Sequence, residues 1–298
     1  MLVPLEHAML ARSVADDERT RAFARYSLTG ALATAAGSLA AAAPDILAAA
    51  GLTRIGAFTL MFYLYAALGL VAAAFYYRLP KAQADTPRAD AAAGAGGATT
   101  ALGPSRGIVY RLAALFSIDA FAGGFIVQSL LALWLFQRFN LSLSSASVFF
   151  FWSSVLSAFS YPVAARLARH FGLINTMVFT HIPSSLCLIA AAFSPSLAIT
   201  LALLLIRSAL SQMDVPTRTS YVMAVVTPPE RTAAASVTAV PRSLASSVSP
   251  ALAGVLLASP FPGLPLVLCG SLKILYDLAL LWAFRHVRPP EEQQGVAP

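Results

Sequence analysis

The stretch SQMDVPTRTSYVMAVVTPPERT, residues 211–232, decides how the rest of the chain is organised. It predicts a helix with several charged side chains that ends at a polar Thr-Pro-Pro-Glu-Arg-Thr turn. The start of the chain aligns with this stretch without a gap and at one constant offset, with Val3 on Val215, Val14 on Val226 and Thr20 on Thr232. A repeat at so long a distance predicts two large homologous halves, each with a helix, a turn and another helix in the same place.

The composition indicates an all-α integral membrane protein. Of 298 residues, 58% are hydrophobic and 11% are charged, whereas soluble domains have about 45–50% apolar and about 25% charged residues. The net charge of +7 would suit a nucleic-acid partner, but the Lys and Arg residues are scattered between apolar segments instead of forming one patch. We therefore expect the lipid bilayer, and no nucleic acid, as a partner.

Eight stretches are long enough to cross the hydrocarbon core of a bilayer, which is roughly 30 Å thick and needs about 20 helical residues. They lie at residues 22–43, 55–77, 108–136, 144–167, 173–193, 197–226, 233–258 and 264–284. Between the second and the third, residues 81–107 are rich in Ala, Gly, Thr and Pro and show no periodicity. This composition predicts a flexible linker.

Lys and Arg residues are concentrated in alternate loops. The basic set comprises the start of the chain, the linker, the ARLARHFG loop at residues 165–172, the TPPERT turn and the C-terminal end. The opposite set contains Arg54 and Arg138, and the short SPS and SPFPG turns contain no basic residue. By the positive-inside rule, the linker and the C-terminus are expected in the cytoplasm.

The repeat, the number of spans, the basic ARLARHFG loop and the Pro-Glu-Arg turn together resemble the major facilitator superfamily of secondary transporters, in its bacterial type. Residues 211–238 are similar to the tenth helix, the following loop and the eleventh helix of that family. The resemblance implies a partial fold of the family in the cell (inner) membrane, with eight spans equivalent to helices 5–12 and the first three to four helices lacking. Residues 1–80 then correspond to the end of helix 4 and helices 5–6, residues 108–288 to the C-terminal six-helix bundle, and residues 289–298 to a polar tail.

The resemblance implies secondary active transport of a small solute by alternating access, driven by an ion gradient such as a proton gradient. Import and efflux both stay open, and the competing interpretation is a non-transporting membrane fragment or scaffold. ATP is not an expected partner, because the sequence has no phosphate-binding glycine loop. The scattered histidines and the Ser-rich patches predict neither a metal site nor a nucleophile, so we expect no cofactor and no enzymatic activity.

Arg207, Asp214 and Arg218 are spaced by seven and four residues, which places them on one stripe of a continuous helix. An ionisable side chain in a bilayer normally faces a cavity or a partner. In one interpretation, these three residues line the pathway of the substrate or the coupling ion. In the other, Asp214 and Arg218 form an internal ion pair at positions i and i+4.

Asp119 lies in the middle of an apolar span, ahead of Gln128. A carboxyl group at that position predicts either a proton- or substrate-binding role or the neutralisation of Arg242 in a later span. We assign all three residues to the predicted pathway. We also expect Asp119, Gln128, Asp214 and Arg218 to face a broad open groove.

Two further pairs of opposite charges stand out. Lys273 and Asp277, again at positions i and i+4, predict a structural ion pair in which each residue satisfies the other. Glu6 aligns with Arg218 in the repeat. This alignment predicts either a salt bridge that closes a cytoplasmic gate or a coincidence at the end of a helix.

Overall fold

The computed structural model describes residues 18–78 and 102–285, together with Leu10 and Val14. In these ranges the regular elements are α-helices and short 3-10 segments such as Pro228–Glu230. The α-helices are α1 (Arg19–Ala40), α2 (Ala43–Ala49), α3 (Arg54–Arg78), α4 (Arg106–Gly124), α5 (Gln128–Phe139), α6 (Leu143–Phe171), α7 (Leu173–Phe193), α8 (Leu197–Ser211), α9 (Asp214–Ala224), α10 (Arg231–Leu257) and α11 (Leu264–Phe284).

Within the described ranges, the helices form eight segments that are long and apolar enough to cross a membrane. These segments lie where the sequence predicts them, and the predicted all-α membrane fold is confirmed. Three segments contain a short break, between α1 and α2, between α4 and α5, and between α8 and α9. The chain is a multi-pass membrane protein.

Helices α4 to α11 pack into one bundle. In this bundle α4 packs along α10, α11 contacts both α4 and α7, and α8 contacts α6 and α7. Two apolar clusters fill the interior, one around Trp134 and Leu188 and the other around Phe116 and Tyr221. Between them, the helices enclose a set of charged side chains.

Helices α4 and α10 approach each other closely at Gly124. A Cβ atom at this position would collide with Ser249 Oγ and would lie 2.9 Å from the backbone oxygen of Ser246. Glycine therefore allows the two backbones to cross at short range, as small residues do in membrane helix pairs. The neighbouring Gly123 has open space where a Cβ would be.

The first three helices are arranged differently. Helix α1 packs along α6 and contacts α9, and Thr20 Oγ1 at its start donates a hydrogen bond to Ser220 Oγ at 2.6 Å. Helix α3 packs mainly on α2 and leaves large apolar side chains such as Phe62 and Tyr65 exposed.

The repeat that the sequence predicts is visible at the corner before α1 and α10. Glu18 is the N-cap residue of α1 and Glu230 is the N-cap residue of α10, so that each helix begins at the following arginine. Phe23 lies in one apolar cluster with Ala235, which is its equivalent in the repeat. The two corresponding helix starts thus face each other.

Several predicted features lie outside the described residues. They include Glu6, most of the linker at 81–107 and the polar tail at 289–298. Helix α4 begins at Arg106, so the last residues of the predicted linker belong to the ordered start of this helix.

Candidate functional site

Asp119 is the centre of a buried charge cluster inside the bundle. It lies in the C-terminal half of α4, and its side chain is 6% exposed. Arg218 Nη1 on α9 lies 3.0 Å from Asp119 Oδ2, and Lys273 Nζ on α11 lies 2.5 Å from Asp119 Oδ1. Each carboxylate oxygen therefore accepts a hydrogen bond from a cation on a different helix.

Arg218 also holds a second carboxylate. Its Nη1 donates a hydrogen bond of 2.8 Å to Asp214 Oδ2, one turn earlier on α9. The guanidinium carbon lies 5.5 Å from the centre of the Phe116 ring, at a distance typical of a cation–π contact. The i,i+4 pair that the sequence predicts is therefore present, and Arg218 additionally binds Asp119 across the bundle.

Lys273 and Asp277 do not satisfy each other, and the expectation of a pair between them is wrong. Lys273 Nζ bonds to Asp119 and also lies 3.2 Å from His181 Nε2. His181 Nδ1 lies 3.0 Å from Asp277 Oδ1. The reason is that an unpaired charge inside a bundle is costly, and the two side chains can reach carboxyl and imidazole groups on neighbouring helices.

Arg207 is not part of the cluster. Helix α8 ends at Ser211 and α9 begins at Asp214. The break interrupts the helical spacing that would have kept Arg207 on one stripe with Asp214 and Arg218. Among the described residues, Arg207 forms no salt bridge to Asp119, Asp214 or Asp277.

Arg242 on α10 lies close to the cluster but forms no salt bridge to Asp119 among the described residues. Its guanidinium is within electrostatic range of Arg218, Asp119 and Asp214. The buried Nε of Arg242 has no hydrogen-bond partner in the described part of the chain. Asp119, which in one of the two interpretations neutralises Arg242, is paired with Arg218 and Lys273 instead.

The expectation of an open groove is wrong for three of the four residues. Asp119, Asp214 and Arg218 are 5%, 4% and 6% exposed, because they neutralise one another within the bundle. Gln128 is exposed at the start of α5, beyond the break that follows α4. The gate between Glu6 and Arg218 stays a prediction, since Glu6 lies outside the described residues.

His181 is a member of the cluster that sequence reasoning missed. It is 1% exposed, and it joins Lys273 to Asp277. The available signal was a lone histidine within an apolar span, but its partners are distant in sequence and cannot be identified from spacing. No group of three or more His, Cys, Asp and Glu side chains is placed to hold a metal ion within the described ranges.

A second polar site lies at the corner between α9 and α10. The carboxylate of Glu230 accepts hydrogen bonds from Thr227 Oγ1 at 2.6 Å, from Ser105 Oγ at 2.7 Å and from the Gly103 backbone N–H at 2.5 Å. The hydrogen bonds from Thr227, then Ser105, and from the Gly103 backbone lower the pKa of Glu230 from 4.5 to about 2. Glu230 thereby joins this corner to the start of α4.

Comparison with known proteins agrees with the fold. Residues 112–298 match the family model of the Major Facilitator Superfamily. The chain is similar to the uncharacterized membrane protein YJR124C of Saccharomyces cerevisiae, with 25% identity over 182 residues; the match covers 60% of this chain and 40% of that protein. The chain therefore spans less than half the length of this relative.

A solved structure shares the arrangement of helices. The crystal structure of the human organic anion transporter MFSD10 (TETRAN) superposes with a TM-score of 0.66 at 18% sequence identity. The match covers 93% of this chain and 67% of that one. At this level of identity the likeness concerns the fold.

Proposed function

Because this chain belongs to the Major Facilitator Superfamily, we propose that it is a secondary active transporter that carries a small organic anion across a membrane by alternating access. The observation that carries the choice of an anion is the half-buried Arg242, whose buried Nε has no hydrogen-bond partner among the described residues. An ionisable side chain within a membrane span costs at least about 2.5–3.5 kcal/mol at the bilayer centre and is by default a candidate functional group.

Arg242 is a better candidate for binding a solute than Arg218, because Arg218 already has carboxylate partners. Arg218 is already satisfied by two carboxylates, Asp119 and Asp214. Arg242 lies within electrostatic range of the same carboxylates without bonding to either of them. A guanidinium group presents a planar fork of N–H donors that matches a carboxylate, sulfate or phosphate group. The guanidinium of Arg242 therefore suits an anionic solute that enters the bundle.

The existing ion pairs leave Arg242 available to a solute. The carboxylates of Asp119 and Asp214 are already paired with Arg218 and Lys273. Both carboxylates near Arg242 are held by other cations, so Arg242 can bind a solute without breaking an existing ion pair. The human protein whose structure matches this fold is an organic anion transporter, which supports the same class of solute.

The proposal extends to the orientation of the chain. The Lys and Arg residues of alternate loops support a cytoplasmic location for the linker and the C-terminus, in the inner membrane of a cell. The test uses single-cysteine variants at Pro195, between α7 and α8, and at Arg285, after α11. Labelling of intact cells with a membrane-impermeant thiol reagent should modify the first site only, and labelling of the second site would reverse the assignment.

The function itself is tested with the full chain in proteoliposomes. The assay measures counterflow of labelled monocarboxylates, dicarboxylates, organic sulfates and organic phosphates, with organic cations and neutral sugars as comparison solutes. We expect counterflow of at least one anion class above that of protein-free liposomes, in either direction of the gradient. Counterflow of cations or sugars alone would reject the anion, and no counterflow of any solute would favour the membrane scaffold.

A further inference from the structure

We propose that His181 and Asp277 bind one proton as a pair, and that Lys273 connects this proton-binding site to the Asp119–Arg218 ion pair. The pair lies between α7 and α11, where His181 is 1% and Asp277 is 0% exposed. It differs from the predicted proton carrier, Asp119, which is fully engaged by two cations.

The hydrogen bonds determine which nitrogen of His181 carries the hydrogen. An ammonium group donates hydrogen bonds and cannot accept them. Lys273 Nζ lies 3.2 Å from His181 Nε2, so Nε2 accepts and is unprotonated. Nδ1 then carries the hydrogen and donates it to Asp277 Oδ1 at 3.0 Å. The structure therefore corresponds to a neutral imidazole beside an ionised carboxylate.

The second carboxylate oxygen of Asp277 leaves the pair with room for one more proton. Asp277 Oδ2 is buried and has no hydrogen-bond partner in the described part of the chain. A buried carboxylate oxygen without a donor is costly, whereas the same oxygen can carry a proton. One proton taken up from the aqueous phase on acidification neutralises the carboxylate at this oxygen or converts the imidazole to imidazolium. Because the two groups share a hydrogen bond, the proton belongs to the pair.

The charged and titratable groups around the pair come from every helix packed against it. Asp119 Oδ1 on α4 lies 4.0 Å from His181 Nε2, and the Tyr276 ring on α11 lies 6.2 Å from the imidazole, measured between ring centres. Lys273 on α11 lies 3.2 Å from His181 Nε2. Cys269 on α11, Asp214 and Arg218 on α9 and Arg242 on α10 lie around Asp119 and Lys273 instead of the pair itself. Asp119 favours an added positive charge, and Lys273 opposes it.

Protonation changes the partners of Lys273. An imidazolium carries a hydrogen on Nε2, where the neutral ring accepts from Lys273 Nζ. Lys273 then loses this acceptor and retains Asp119. The added positive charge also strengthens anion binding at Arg242, and by linkage the anion strengthens proton binding to the same extent. This last step rests on the proposed function, whereas proton binding by the pair does not.

The pair is tested without any solute. The full chain, with ¹⁵N-labelled histidine, is placed in lipid nanodiscs and followed by NMR from about pH 8 to about pH 5, the range in which histidine changes charge. Infrared difference spectra over the same range detect the carbonyl band of a protonated carboxyl group. At about pH 8 we expect the NMR spectrum to show the Nδ1–H tautomer of His181. On acidification we expect either that the signal of this tautomer disappears or that a new carboxyl band appears in the infrared spectrum, which Asp277→Asn removes.

Two controls distinguish the pair from other groups. His170→Gln removes an exposed histidine at the end of α6 and should leave both signals unchanged. Lys273→Gln should allow the other tautomer of His181 to appear, because Nε2 loses its ammonium donor. This effect on the tautomer would not follow from a purely structural lysine.

The proposal is overturned if wild-type His181 carries its hydrogen on Nε2 at about pH 8, or if neither signal changes down to about pH 5. These measurements use the wild-type protein, so they test the proposal even if a variant fails to fold. Arg242→Gln should retain proton uptake by the pair and lose counterflow of the anion. A protein that takes up the proton but carries no anion would therefore reject the proposed function and keep this site.

Discussion

Lys273 Nζ on α11 forms an ion pair with Asp119 Oδ1 on α4 at 2.5 Å, although Asp277 lies only one turn away on the same helix as Lys273. The other oxygen of Asp119 binds Arg218 on α9. Asp119 is therefore the one carboxylate among the described residues that holds two fixed cations from two other helices. Its removal leaves both cations short of a partner inside a membrane bundle.

The two acidic partners of Arg218 should differ in their contribution to stability. Asp119→Asn leaves Lys273 without its carboxylate and weakens the hold on Arg218, so we expect a loss of about 3–5 kcal/mol, as for breaking a buried ion pair. Asp214→Asn leaves Arg218 bound to Asp119. We therefore expect the free energy of unfolding to fall by about 1.5–3 kcal/mol, as for the loss of one charged hydrogen bond. Reversible unfolding in mixed micelles measures both values. An equal loss in the two variants would contradict the central position of Asp119.

Double variants test the partner of Lys273 directly. Asp119→Asn with Lys273→Met removes both members of the observed ion pair and leaves Arg218 paired with Asp214. This double variant should therefore unfold at a higher concentration of the denaturing detergent than Asp119→Asn alone. Lys273→Met with Asp277→Leu removes members of two different contacts and should be the less stable double variant. The reverse order of the two double variants would favour a Lys273–Asp277 pair.

The spans and the repeat are predictable from the sequence because they depend on local composition and on self-similarity. An apolar run of sufficient length is enough to predict a membrane helix, and the Glu18 and Glu230 helix starts are equivalent in both sequence and structure. The Asp214–Arg218 pair is also local, since one helical turn brings the two side chains together.

The partners of Lys273 and His181 could not be predicted in the same way. They are chosen between helices that are distant in the chain, and spacing along α11 favours Asp277 for Lys273. The choice depends on how α4, α7 and α11 pack. The break between α8 and α9 likewise has no clear periodic signal, and it removes Arg207 from the predicted stripe.

The crossing of α4 and α10 predicts opposite results for two adjacent glycines. Gly124→Ala would bring a methyl group into Ser249 Oγ and close to the Ser246 backbone oxygen. We expect a loss of about 1–3 kcal/mol, as for overpacking. Gly123→Ala meets open space and should be neutral or stabilise the helix by up to about 1 kcal/mol. Thermal unfolding in the same detergent compares the two. If Gly123→Ala lowers the stability as much as Gly124→Ala does, the close crossing of α4 and α10 is rejected.

The Glu230 site predicts a pH-dependent contact outside the spans. The pKa of Glu230 is lowered from 4.5 to about 2, so its hydrogen bonds stabilise the folded state above the ordinary pKa and this contribution is lost as the pH falls from 4.5 towards 2. Glu230→Gln should increase hydrogen exchange of the Gly103 amide at neutral pH, because the ionised acceptor is removed. The difference from wild type should shrink as the pH falls through this window.

The repeat supplies a matched control for this measurement. Glu18 occupies the equivalent position and forms an exposed ion pair with Arg21 at 2.7 Å. Surface ion pairs of this kind contribute about 0–1 kcal/mol, so Glu18→Gln should leave exchange of the Gly103 amide unchanged. Unchanged exchange in Glu230→Gln would contradict the role of Glu230 in holding the start of α4.

The central claim is that Arg242 is an anion-binding group on the transport route. The most direct measurement is counterflow of the best-carried organic anion by the full chain in proteoliposomes, compared between Arg242→Gln and Arg169→Gln, the latter an exposed arginine at the end of α6. We expect Arg242→Gln to lower counterflow at limiting solute by about tenfold or more at equal abundance, which corresponds to about 1.4 kcal/mol of lost binding, with Arg169→Gln close to wild type. Equal counterflow in the two variants would contradict the claim.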